Sequence, residues 1–63
     1  MSASAELTAV SSTLDELTHR VSRILSELSA REEERYGVDL REVERTLGVA
    51  SRRLGKLVSS GGP

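Results

Sequence analysis

The sequence has few of the residues that usually stabilise a small domain. Its 63 residues include no cysteine, tryptophan or phenylalanine and a single tyrosine, Tyr36. The absence of cysteine excludes disulfides and thiolate metal sites, and one histidine, His19, cannot form a zinc site by itself. A chain of this length buries a small fraction of its surface and needs a further source of stability. By elimination, we expect association with another chain to supply it.

The sequence also lacks a long apolar run, a basic leader and an excess of one charge. Its formal net charge is −1, which is unlike that of a general polyelectrolyte binder. We expect neither a signal peptide nor a membrane span, and we predict a cytoplasmic protein without membrane contact. Eight arginines against one lysine, with abundant alanine, glycine and valine, indicate a GC-rich genome.

An apolar heptad pattern is present near the N-terminus. Its residues are separated by alternating steps of three and four, which is typical of a helix that packs a narrow seam against another helix. The first seam consists of Leu7, Val10, Leu14, Leu17, Val21, Ile24 and Leu28. Two starts remain open for this helix, one with an N-cap at Ser2 or Ser4 and one at a capping box that begins with Thr13.

The first seam stops after Leu28, and three boundary signals coincide about ten residues later. They are a helix-ending glycine, a capping box and a hydrophobic staple. The residues concerned are Gly37, Asp39 with Glu42, and Val38 with Val43. We therefore predict one domain over residues 1–63, with a first helix over about 4–36, a turn at 37–39, a second helix over about 40–58 and a flexible tail at 59–63.

The second predicted helix carries a seam of its own. Its residues are Tyr36, Leu40, Val43, Leu47, Ala50, Leu54 and Leu57. Two amphipathic helices joined by a short turn lie antiparallel, so the predicted fold class is all-α, a coiled-coil-like helical hairpin. A turn at 37–39 places Leu47 near Leu28 and Leu54 near Val21, and it leaves the N-terminal third of the first helix uncovered. The uncovered seam residues are then Leu7, Val10 and Leu14.

A lone hairpin covers only one side of each seam. A fully buried leucine or valine contributes about 1.5–3 kcal/mol, whereas ordering each residue costs roughly 1.5 kcal/mol. Half-buried seams cannot offset that cost. We therefore predict a homodimer of hairpins that forms a four-helix bundle, with docking on a helical protein partner as the alternative. The predicted function is that of a protein–protein interaction or regulatory module.

A basic face on the second helix indicates another function. Its residues are Arg41, Arg45, Arg52, Arg53 and Lys56. Such a stripe can contact phosphates, and the alternative prediction is a small nucleic-acid-binding regulator. A solvated face with ordinary ion pairs explains the same residues.

Part of the second helix resembles a known DNA-binding motif. The stretch LREVERTLGVASRRLGKLVSSG is similar to the helix-turn-helix of bacterial regulators. The resemblance implies a turn at Gly48 and a recognition helix that begins with Ser51, Arg52 and Arg53. Glu44 departs from the motif, which has a small buried residue at that position. The unbroken heptad favours a continuous helix through Gly48 instead.

A second resemblance covers most of the chain. The run VERTLGVASRRLGKLV, after a leucine- and valine-seamed first helix, resembles small, functionally uncharacterised helical-hairpin proteins of actinobacteria. This resemblance implies a helical hairpin and gives no information about activity. Phosphate-binding loops, paired catalytic carboxylates and nucleophile elbows are absent from the sequence. We expect no enzyme activity, no cofactor, no metal and no small-molecule substrate, and we expect His19 to face solvent.

Overall fold

Two helices make up the part of the chain that the structure describes. The structure is a computed structural model, and it describes residues 2–60 apart from the side chain of Ser60. The helices are α1 (Ala3–Ser26) and α2 (Ala30–Ser60), and no strand occurs within residues 2–60. They pack against each other, so the prediction of an all-α helical hairpin is confirmed. Residues 1 and 61–63, which include part of the predicted flexible tail, lie outside the described residues.

The start of α1 follows the earlier of the two sequence signals. Ser2 occupies the N-cap position with extended backbone angles, φ −100° and ψ 128°. Its carbonyl oxygen accepts a hydrogen bond from the Glu6 N–H at 3.1 Å. The Glu6 carboxylate lies in the first turn, where the helix dipole favours negative charge. Thr13 therefore lies inside α1 rather than at its beginning.

The chain reverses at residues 27–29, so the predicted turn at 37–39 and the predicted first helix to residue 36 are wrong. A reciprocal capping box starts α2 instead. The Ser29 N–H donates to Glu32 Oε1 at 2.9 Å, and the Glu32 N–H donates to Ser29 Oγ at 3.2 Å. Each residue thereby satisfies a backbone donor that the beginning of a helix leaves unpaired. The charged segment after Leu28 is the first part of α2.

The boundary signals at residues 37–43 have other roles in the structure. Gly37 lies within α2, and no glycine of the described residues has positive φ. Val38 is 79% exposed, so it does not form the predicted hydrophobic staple. Glu42 accepts hydrogen bonds from Arg45 and does not cap a helix. The helix-start signals at these positions are therefore not used, because α2 continues through all of them.

Two polar contacts show how α1 and α2 are aligned. Ser22 Oγ donates to the carboxylate of Glu44, and Ser51 Oγ donates to the carboxylate of Asp15. Moving seven residues back along α1 corresponds to moving seven residues forward along α2, so the helices are antiparallel. The same alignment places the end of α1, Ser26, level with Leu40.

This alignment corrects the predicted seam contacts. Leu47 lies level with residues near Thr18 and Val21 rather than with Leu28. The N-terminal third of α1 lies level with the C-terminal turns of α2, so it does not extend beyond its neighbour. The segment that extends beyond the end of α1 is instead residues 30–39 of α2. The reason is the early reversal, which lengthens α2 to 31 residues and shortens α1 to 24.

The helix α2 is continuous through Gly48. The helix-turn-helix interpretation of residues 40–60 is therefore wrong, because no turn separates two helices there. The predicted second helix over about 40–58 also proves too short at both ends. Ser59 and Ser60, which we assigned to the flexible tail, belong to the last turn of α2.

The three glycines inside α2 provide a stability test. A Cβ at Gly48 has no neighbour closer than Arg52 Nη1 at 3.8 Å, and a Cβ at Gly55 has none within 4 Å. We expect Gly48→Ala and Gly55→Ala each to raise the free energy of unfolding by about 0.5–1 kcal/mol, because alanine loses less backbone entropy in a helix. Chemical denaturation followed by circular dichroism measures this change.

Gly37→Ala is the matched comparison for the other two glycine variants. A Cβ at this position collides with the carboxylate of Glu33, which forms an ion pair with Arg41 across Gly37. The carboxylate must move, so we expect a smaller gain than at Gly48. A loss of stability on Gly48→Ala contradicts the continuous helix.

The capping box provides a second test. Ser29→Ala removes the hydroxyl that accepts the Glu32 N–H, and we expect it to lower the free energy of unfolding by about 0.5–2 kcal/mol. Ser12→Ala, at an exposed position inside α1, is the control and is expected to change stability little. Equal effects of the two substitutions contradict a helix start at Ser29.

The same box makes stability depend on pH. The Ser29 backbone N–H, followed by the Ser29 hydroxyl, holds the pKa of Glu32 below its usual value of 4.5. A carboxylate with a depressed pKa stabilises the folded state above its unfolded pKa, and this contribution disappears as the pH falls through the folded pKa. We expect the thermal midpoint of the native chain to decrease as the pH is lowered below about 4.5. The thermal midpoint of the Glu32→Gln variant should decrease less over the same pH range.

Candidate interaction surface

The hairpin has no closed hydrophobic core within residues 2–60. None of the described apolar side chains is fully buried. Among residues 2–59, the one buried residue is Gly37, which has no side chain to contribute. The apolar residues of both seams are therefore half-buried or exposed, which leaves their free side open to another molecule.

The α1 seam divides into two rows of different exposure. Each row repeats every seven residues along the helix. The row closer to α2 is half-buried and consists of Leu7, Leu14 and Val21. Leu28, the last residue of the predicted seam, is also half-buried but lies in the chain reversal after α1. The other row, which we call the exposed row of α1, consists of Val10, Leu17 and Ile24.

The α2 seam divides in the same way. Its half-buried row consists of Leu40, Leu47 and Leu54. The exposed row of α2 repeats every seven residues and consists of Tyr36, Val43, Ala50 and Leu57. Ala50 is half-buried, and the other members of the two exposed rows are between 43% and 55% exposed.

The two exposed rows lie beside one another on one side of the hairpin. Leu17 follows Asp15 by two residues and Ala50 precedes Ser51 by one, so the two are within about 1.5 Å of the same level. Ile24 follows Ser22 by two residues and Val43 precedes Glu44 by one, so Ile24 and Val43 are also within about 1.5 Å of the same level.

The exposed row of α1 also borders a shallow groove. Its lining is almost wholly apolar and consists of Ala9, Val10, Thr13, Leu14 and Leu17. The two rows and this groove place the exposed large apolar side chains of the hairpin, apart from Val38, on one side. Apolar residues clustered on one side, unlike scattered single ones, typically mark a binding site.

The dimensions of the chain show how open the hairpin is. Its radius of gyration is 14.6 Å, against roughly 11 Å for a compact domain of this length. Its accessible surface is 5095 Å², against roughly 4,000 Å² for a compact monomer of this mass. The chain thus exposes about 1,100 Å² more than a compact monomer does.

The polar contacts between the helices were not predicted from the sequence. On each helix the half-buried row lies between two flanks, and the exposed row occupies one of them. The contacts Ser22–Glu44 and Asp15–Ser51 lie on the other flank. Leu25 is a further half-buried residue on this flank of α1 that the seam omits. Each of these five residues follows a half-buried seam residue by one or four positions in the sequence. That spacing places its side chain towards the neighbouring helix, and it is the sequence signal that could have predicted these contacts.

The basic face of α2 is partly engaged in ion pairs. Arg41 pairs with Glu33, and Arg45 donates two hydrogen bonds to Glu42 at 2.7 and 3.1 Å. The hydrogen bonds from Arg45, and then its charge, hold the pKa of Glu42 below its usual value, and Glu42 raises the pKa of Arg45. The ordinary ion pairs of the solvated interpretation are therefore present at Arg41 and Arg45.

The remaining bases lie near the C-terminal end of α2. A shallow surface groove is lined by Arg52, Gly55, Lys56 and Ser59. Arg53 lies on the adjoining side of the helix, next to the exposed row of α2. The structure thus brings Arg52 and Lys56 together in one groove, which Arg53 does not line.

Two aromatic or heteroaromatic side chains have local partners. The guanidinium of Arg35 lies 5.5 Å from the ring centre of Tyr36, within cation–π range. His19 is exposed on α1, as expected, and its Nδ1–H donates to the Asp15 carbonyl oxygen at 2.8 Å.

Neither helix, over the residues that the structure describes, has the length and hydropathy needed to cross a bilayer. Comparisons of the chain with protein-family models, with curated protein sequences and with solved structures find no match, so the interaction surface has to be interpreted from its own residues.

Proposed function

We propose that this chain is a protein–protein interaction module, and that helices of another chain bind to its two exposed rows. The observation that supports this proposal is the alignment of the rows, each with a seven-residue repeat and both on one side of the hairpin. Exposed apolar residues at this spacing are what a helix needs to pack knobs into holes against a further helix.

The energy available from covering the rows is large for a chain of this size. Six of their residues are about half exposed. Burying the remaining half of each side chain contributes about 1 kcal/mol per residue, or about 6 kcal/mol in all. A small domain has a total stability of about 5–15 kcal/mol. Binding through these rows is therefore comparable to the folding free energy itself.

This comparison links folding of the hairpin to binding. The described residues bury none of their apolar side chains fully, so the hairpin alone has little to offset the entropy of ordering its chain. A partner that covers the rows stabilises the folded hairpin by mass action. We infer a regulatory or scaffolding role in which the partner and the hairpin are folded and assembled together.

Nucleic-acid binding by the basic face has less support. Ion pairs occupy Arg41 and Arg45, and the basic groove near the C-terminal end of α2 is lined by Arg52 and Lys56. Exposed ion pairs are weak, so phosphates can compete with them. A direct comparison of row variants with charge variants separates the two functions.

The proposal predicts which baits retain partners from a lysate of the source organism. The double substitution Leu17→Gln with Val43→Gln places an amide in each exposed row while keeping good helix formers. We expect this bait to lose the proteins that the native chain retains. The control carries His19→Gln with Arg52→Gln, both on exposed outer faces, and should retain them.

Nuclease treatment completes this experiment. Retention that survives nuclease and depends on the exposed rows supports a protein partner. Retention that nuclease abolishes, or that is lost only in the control bait, supports the nucleic-acid function instead. Equal retention by all three baits contradicts the proposed role of the rows.

A further inference from the structure

We infer that the partner on the exposed rows is a second copy of this chain, and that two hairpins form a four-helix bundle. The inference rests on the proposed function and names the occupant of the same surface. It relies on the level, spacing and size of the rows, each of which the hairpin itself provides.

The first argument is that the exposed residues form three layers across the hairpin. Leu17 is level with Ala50, and Ile24 is level with Val43. Seven residues further from the chain reversal, Val10 is level with Leu57. The layers are about 10.5 Å apart because seven helical residues rise by that distance. A second hairpin therefore carries the same three layers at the same spacing.

The second argument is that these layers match themselves under a two-fold rotation. A rotation about an axis along the bundle sets each layer against the same layer and places α1 beside α2 of the second copy. A rotation about an axis across the bundle sets the Leu17–Ala50 layer against itself and exchanges the two outer layers. Both rotations give an isologous interface with the same central layer.

The third argument concerns the flanks of each helix. A helix in a four-helix bundle packs against two neighbours, one on each flank of its apolar seam. In this hairpin, one flank is occupied by the neighbouring helix and includes the contacts Ser22–Glu44 and Asp15–Ser51. The other flank carries the exposed row. Both helices thus lack one neighbour on the same side of the hairpin, and a second hairpin supplies both neighbours at once.

The fourth argument is the size of the surface. The chain exposes about 1,100 Å² beyond the surface expected of a compact monomer. A specific interface of standard size buries about 800 Å² on each partner. The surplus is of the same size as the area that each partner buries in such an interface. The formal net charge of −1 gives two copies little electrostatic repulsion to overcome.

Mass and melting temperature test this inference on the native chain. We expect sedimentation equilibrium at tens of micromolar to give twice the monomer mass of 6.8 kDa. The thermal midpoint should rise with protein concentration, because dimerisation is coupled to folding. Leu17→Gln should weaken dimerisation about 10- to 100-fold, whereas His19→Gln, on the opposite face, should leave it unchanged.

The possible failures are distinguishable. A monomeric mass with a concentration-independent midpoint overturns the second copy as partner. If the row-dependent retention of other proteins persists in that case, the proposed interaction function stands without the dimer. A monomeric mass together with no row-dependent retention contradicts both.

The absence of cysteine allows the central layer to be tested directly. A chain with Leu17→Cys and a chain with Ala50→Cys are oxidised separately and as an equimolar mixture, with His19→Cys as the outer-face control. An axis across the bundle predicts a Leu17→Cys homodimer, and an axis along the bundle predicts a disulfide between the two different chains. Either product supports the inference. Cross-linking no faster than the His19→Cys control in every sample overturns it, since disulfides need Cα atoms within about 7 Å.

Discussion

Two packed helices can cover only one flank of each other, and this constraint governs the whole molecule. An α-helix with a heptad seam has apolar residues on both sides of its line of contact. In the hairpin, the half-buried rows and the serine–carboxylate contacts occupy one side. The exposed rows follow necessarily on the other, and they explain the elongated shape, the large surface and the absence of fully buried apolar side chains among residues 2–60.

The helical class was predictable from the sequence, because heptad spacing depends only on the helical period. The exposure of individual seam residues was not, since it depends on the alignment of the helices. That alignment follows from the position of the chain reversal. The contacts of Ser22 with Glu44 and of Asp15 with Ser51 lie outside the apolar pattern, so periodicity alone does not reveal them.

The position of the chain reversal shows how local signals compete. Two capping boxes follow the first seam in the sequence, one at Ser29 with Glu32 and one at Asp39 with Glu42. The second is accompanied by Gly37, which made it the stronger signal by residue type. The structure forms the first box, and Gly37 instead lies beneath the ion pair between Glu33 and Arg41. A glycine inside a helix and a glycine after a helix look alike in sequence when neither φ nor packing is known.

The three glycines of α2 also bear on how long the chain survives in a cell. Gly48 and Gly55 each weaken the helix by about 0.5–1 kcal/mol relative to alanine, and Gly37 adds a third glycine to the same helix. A helix with three such positions opens locally more often, and opened segments are the substrates of proteases. If a partner covers the exposed rows as proposed, it would suppress this opening, and copies without a partner would be degraded first. The glycines would then tie the abundance of the protein to the amount of its partner.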